Sequence, residues 1–145
     1  MNQLYYGDDL HVLREHLADE SVDHIYLDPP FNSKRDYNLL FKSPKGQSSE
    51  AQIAAFEDTW HWASTEGSQA EKEFDEVIKD PNTELAQMMR SLRSFLGEND
   101  MMAYLTMMAN RLLELHRVLK PTGLLYLHCD PTALRIVLQS FQIIK

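Results

Sequence analysis

The sequence is nearly free of cysteine, sparing with glycine and short of positive charge, and each shortage excludes something. A single cysteine, Cys129, rules out an internal disulfide and fits a reducing compartment. Five glycines stand at Gly7, Gly46, Gly67, Gly97 and Gly123, none close together, so the chain has no glycine-rich segment. No apolar run reaches the ~20 residues that a bilayer crossing needs. The opening Met1-Asn2-Gln3-Leu4 lacks the basic start and apolar core of a signal peptide. A cytoplasmic protein with no membrane contact is therefore expected. Lys and Arg number 14 against 22 Asp and Glu, a formal net charge of −8. Taken whole, that balance argues against a nucleic-acid-binding surface, because neutralising phosphates requires Lys and Arg.

What is present is enough for one domain: 145 residues, 43% of them hydrophobic. The charge is unevenly placed. Lys34, Arg35, Asp36, Lys42 and Lys45 give the stretch 32–45 a net of +3, whereas between Glu50 and Asp80 nine acidic residues face only Lys72 and Lys79. The basic cluster is either a solvated loop or, through Lys34 and Arg35, a set of phosphate contacts.

In chain order, Leu4-Tyr5-Tyr6 reads as a short strand ended by Gly7-Asp8. Asp8 or Asp9 then caps a helix through Leu10, Leu13 and Leu17, which should end near Ala18. Val22 to Asp28 is the next strand, so strand, helix and strand form a βαβ unit and imply a parallel sheet. A long polar connection follows, with a turn at Ser43-Pro44-Lys45-Gly46 and an aromatic stretch, Ile53 to Trp62, that fits helix or loop. Trp60 and Trp62 are expected as core or lid anchors. The spacing predicts a short helix over 71–78, with Phe74, Val77 and Ile78 inward, and a second one capped by Asn82 or Thr83 and closed by Gly97.

Asn99 or Asp100 caps the clearest helix, where Met101, Leu105, Met108, Leu112, Leu115 and Leu119 make one apolar face. Its Met residues read as core filler. Arg117 and Lys120 suit its negative end, and Lys120-Pro121-Thr122-Gly123 should stop it in a turn. Leu124 to Leu127 is a third strand, with Cys129 buried near its end, and a last helix starts near Thr132. Three strands thus place Asp8, Asp28 and Asp130 at their carboxyl ends. Each of these aspartates is either a ligand-facing group or simply a helix cap.

Asp28-Pro29-Pro30-Phe31 departs most from an ordinary strand end. The prolines lack an N–H and cannot continue a sheet. Proline also holds the residue before it extended, so Asp28 should close the strand and project from it, with Phe31 on a stiff turn nearby.

This stretch resembles the catalytic motif of the amino-group DNA methyltransferases, which modify the exocyclic amine of adenine or cytosine. Gly7-Asp8-Asp9-Leu10, Ser21-Val22-Asp23 and Leu115 to Asp130 (LHRVLKPTGLLYLHCD) are similar to family segments in the same order. The resemblance implies an α/β fold: a partial doubly wound, Rossmann-like parallel sheet with helices on both faces and a long helical insertion over about 42–97. It implies that residues 1–145 are the catalytic part of a methyltransferase domain, truncated, because the family's Phe-x-Gly-x-Gly cofactor segment and a target recognition domain do not follow. It implies S-adenosylmethionine as cofactor, with Asp8 near its adenine end, and DNA with a flipped target base as partner.

The amine of adenine is a poor nucleophile, because its lone pair is delocalised into the ring. Hydrogen bonds from it to the Asp28 carboxylate and the Pro29 carbonyl favour a pyramidal nitrogen. Pro30 offers no N–H to compete, and the double proline fixes both acceptors. Phe31 can stack on the flipped base. The Asp-led motif leans towards adenine, since cytosine enzymes of the family more often begin it with Ser. RNA and protein amino-methyltransferases usually begin it with Asn. The missing glycine-rich segment and the charge of −8 support a second reading, a catalytically inactive remnant or interaction module. His61, His116 and His128-Cys129 lack the paired spacing of a zinc site, so no metal is expected.

Overall fold

The computed structural model describes residues 2–29, 60–62, 68–129, 136, 137, 139 and 144. Its element order is α1 (Asp9–His16), β1 (Val22–Leu27), α2 (Gln69–Lys79), α3 (Thr83–Leu96), α4 (Asp100–Val118) and β2 (Leu119–Leu127). The described residues of the final stretch, Ile136, Val137, Gln139 and Ile144, are helical, and Val137 is buried.

The helices α1 to α4 each begin on a side-chain cap. Asp8, Ser68, Asn82 and Asn99 accept from the backbone N–H of Leu10, Glu71, Leu85 and Met102 respectively, satisfying donors that a first turn leaves unpaired. Gly97 closes α3 at φ 74, and its N–H donates to the Arg93 carbonyl. A Cβ there would meet nothing within 4 Å, so the backbone angle, and not space, selects glycine.

The core is built on α4. The apolar stripe expected for this helix understates its burial: Met102 to Leu112 is buried all round. Phe74 and Val77 of α2, Leu85 and Met89 of α3 and Leu13 of α1 pack against it. Thr106, Asn110 and Arg111 are buried with it, and the latter two are tolerated because partners on other helices satisfy them. The stretch expected as an insertion therefore contributes α2 and α3 to the main core. Trp60 and Trp62 are core anchors, the Arg93 guanidinium lying 4.8 Å from the Trp62 ring and 4.6 Å from Phe74.

Arginines from α4 and α1 tie the helices together. Arg117, expected to serve the end of its own helix, also reaches across and donates to the Leu13 and Leu17 carbonyls, capping the end of α1. Arg14 joins Glu76 of α2 and Glu114 and Asn110 of α4. The Asn110 amide, then Arg14, hold the Glu76 carboxyl below the ordinary glutamate range against the opposing effect of its partial burial. A lowered folded-state pKa means stability that is present above the ordinary glutamate pKa and lost as pH falls through the lowered one. Between neutrality and about pH 3, the urea midpoint of Glu76→Gln is expected to fall less than that of the native chain. Parallel urea titrations check this, and equal falls would remove Glu76 from the acid response.

β1 and β2 form a parallel pair, the orientation expected for the sheet but not through the predicted strand–helix–strand unit, with Ile25 opposite Leu125, Tyr26 opposite Tyr126 and Leu27 opposite Leu127. The turn expected at Lys120–Gly123 is instead absorbed into β2. Two steps along β1, from Val22 to His24, run against five along β2, from Leu119 to Leu124. Pro121 cannot donate to a ladder, and the extra residues bulge out around it.

One expectation fails here. Leu4-Tyr5-Tyr6 is not a strand: it has no ladder partner among the described residues, Leu4 is 98% exposed, and the Tyr5 ring stacks on His16 of α1. A strand exists only where another supplies its hydrogen bonds. Nor does the doubly wound arrangement appear among the described residues. Ile25, Leu27, Leu125 and Leu127 pack on the helical core, while Tyr26, Leu124 and Tyr126 on the opposite face are exposed. The fold observed is mixed α/β, with a two-stranded parallel sheet against a helical layer.

Candidate active site

Because β1 and β2 are parallel, both finish at one edge, and the next residues of each chain meet there. The backbone pairing continues one step past the strands, the His128 N–H donating to the Leu27 carbonyl at 2.9 Å. Beyond it the side chains pair: Asp28 Oδ1 lies 2.9 Å from His128 Nδ1, each side chain 59% exposed. Pro29 is buried. Asp28 thus projects from the strand end beside an anchored proline, as the Asp-Pro-Pro sequence predicts. Cys129 is half-buried and lies just past β2, not within it.

Asp8 lies elsewhere. Without a strand at 4–6 it stands at no strand end; its carboxylate caps α1 and accepts two bonds from the Arg111 guanidinium, at 2.9 and 3.1 Å. Arg111 is the hub of a cluster. Its side chain is only 5% exposed and also pairs with Asp9 at 2.7 Å and with Glu73, itself 3% exposed, at 3.3 Å, while its guanidinium lies 5.2 Å from the Trp60 ring centre. Three carboxylates around one cation make this edge acidic.

Among the expected site residues, Pro30, Phe31, Lys34 and Arg35 lie outside the described residues, as does Asp130. His61 pairs with Asp100 on the surface. Among the described residues no group of three or more His, Cys, Asp or Glu side chains is placed to share a metal ion. No helix among them is long and apolar enough to cross a membrane.

Two residues of the candidate site escaped the sequence reading. His128 follows Leu127 as Asp28 follows Leu27, and equal offsets past in-register parallel strands bring the two together. Arg111 was the long cation set within an otherwise apolar helix, and only a set of buried partners accounts for it there.

A family model described as DNA methylase matches residues 22–145, beginning at the first residue of β1 and containing Asp28, Pro29 and His128. The chain belongs to the DNA methylase family. This is the amino-group methyltransferase family that Asp28-Pro29-Pro30-Phe31 resembles. No curated protein and no solved structure matches the chain. Within this DNA methylase, Asp8 and α1 precede the matched region, whereas the whole Asp28 edge lies inside it.

Proposed function

We propose that this DNA methylase transfers a methyl group from S-adenosylmethionine to the exocyclic amine of adenine in DNA. The observation that carries the reading is the end of β1, where an exposed carboxylate adjoins a buried proline in a chain of this family. Asp28 accepts one amine hydrogen and the Pro29 carbonyl the other. The nitrogen lone pair then leaves the ring plane, and both acceptors stand fixed before the base arrives. Phe31 stacks on the flipped base, and Lys34 and Arg35 meet backbone phosphates. Residues 1–145 act as the catalytic part of the domain, with residues 42–97 inserted in it.

S-adenosylmethionine supplies an electrophilic methyl group when bound. The donor set at Asp8 fits one end of such a cofactor. Its carboxylate is 44% exposed and held in place by Arg111, and an ionised carboxylate has lone pairs to spare for an amine or a hydroxyl. Asp8 would hold the adenine end.

The test is transfer of label from methyl-labelled S-adenosylmethionine to DNA, followed by digestion to nucleosides. Label is expected in N6-methyladenine. Label in N4-methylcytosine would overturn the choice of base. Transfer to neither, with no calorimetric cofactor binding, would favour a catalytically inactive remnant.

A further inference from the structure

We infer that His128 is a positioning residue for Asp28, fixing the carboxylate through a single hydrogen bond from Nδ1 so that its remaining lone pairs face the target amine. This rests on the reading of Asp28 as the acceptor for that amine. Asp28 is largely exposed, and an exposed Asp rotates freely about two side-chain bonds unless something holds it. Among the described residues, the side chain that holds it is His128.

The histidine is itself anchored. Its backbone N–H donates to the Leu27 carbonyl, and its ring contacts the carboxylate of the very next residue. Two consecutive bonds between the same strand ends leave the imidazole little room to swing. An ionised carboxylate only accepts, so the hydrogen of this contact sits on Nδ1. The bond occupies part of Oδ1 and leaves Oδ2 open. One oxygen is thereby tethered while the other serves the base, the arrangement that preorganised hydrogen-bond catalysis requires. The role asks for a donor and not for a proton relay, so an uncharged donor in the same place should suffice.

Two variants separate these roles in the full chain. His128→Phe keeps a ring and removes the donor; His128→Asn places an amide N–H close to where Nδ1 lies. His128→Phe is expected to lower kcat for methyl transfer about 10- to 100-fold, with the KM for DNA and for S-adenosylmethionine within about twofold of native. His128→Asn should recover kcat to within about threefold of native. Unchanged turnover in His128→Phe would overturn the inference and leave the proposed function standing. Equal losses in the two variants would overturn it in favour of a proton-carrying role.

A second readout needs no turnover. Long-range proton–nitrogen NMR correlations, recorded where imidazoles are neutral, report the ring tautomer. The Nδ1–H form is expected for His128 in the native chain, and the Nε2–H form in Asp28→Ala. The same tautomer in both would overturn the pairing whether or not the chain is active. Absence of transfer by the native chain, with the tautomer change intact, would instead count against the proposed function and uphold the contact.

Discussion

Asp28→Ala is expected to reduce methyl transfer by about a thousandfold or more while leaving the fold intact. The two halves of this expectation have separate causes. The carboxylate projects into solvent from the end of β1 and pairs with an equally exposed His128, so its removal strips no buried contact. Exposed substitutions of this kind stay within about 0.5 kcal/mol of native stability. Catalysis loses more, because in the proposed mechanism the carboxylate is the charged member of the acceptor pair that reshapes the amine. Pro29 keeps its carbonyl but cannot orient the amine alone. Asp28→Asn should fall between the two, since the amide retains one neutral acceptor oxygen. The measurements are single-turnover transfer of labelled methyl and the urea midpoint of the same preparation. Retained transfer in Asp28→Ala would remove Asp28 from the chemistry, and a collapsed midpoint would make the loss of activity uninformative about it.

Arg111→Met should destabilise the protein by about 3–5 kcal/mol, the usual consequence of removing one partner from a buried ion pair. The guanidinium lies in the middle of α4 and gathers Asp8 and Asp9 at the head of α1, Glu73 of α2, the Met107 carbonyl and the Trp60 ring. Without it, Glu73 stays almost wholly buried, with Gln69 as its remaining side-chain donor among the described residues. That stranded charge, more than the lost attraction, sets the size of the effect. The double variant Arg111→Met/Glu73→Leu should therefore recover part of the loss, because no unpaired buried charge remains. Urea denaturation of the single and double variants measures both, and additive losses would show that the pair is not coupled. On the proposed placement of the cofactor at Asp8, its affinity should fall with Arg111→Met as well, since Asp8 loses the group that orients it.

Much of the helical layer was legible because its signals are local. Asn82 and Gly97 bracket α3, Asn99 opens α4, and Phe74 and Val77 mark the inner side of α2, all from spacing and caps within one segment. The strand Val22–Leu27 and its parallel partner were legible from apolar runs and element order. What escaped depends on partners distant in the chain. Leu4-Tyr5-Tyr6 has the composition of a strand and no neighbour to complete one. Arg111 and Asn110 look misplaced in an apolar helix until Asp8, Glu73 and Glu76 are brought alongside. In the candidate site, Asp28 and Pro29 were readable because proline restricts backbone angles locally, whereas His128 becomes meaningful only when two strand ends separated by a hundred residues finish level.

The bulge in β2 makes the sheet tolerant of length on one side of the site only. The ladder runs residue for residue from His24 opposite Leu124 to Leu27 opposite Leu127, and Asp28 and His128 inherit their meeting from that count. A residue lost or gained at Lys120–Gly123 changes the size of a bulge that already holds more than its share, and the paired stretch keeps its phase. The same change between Leu124 and Leu127 shifts the phase by one, turns alternate side chains to the opposite face and puts Cys129 or Leu127 where the imidazole stood. This chain can absorb a change of length where its sheet begins, but where the sheet ends every residue is counted.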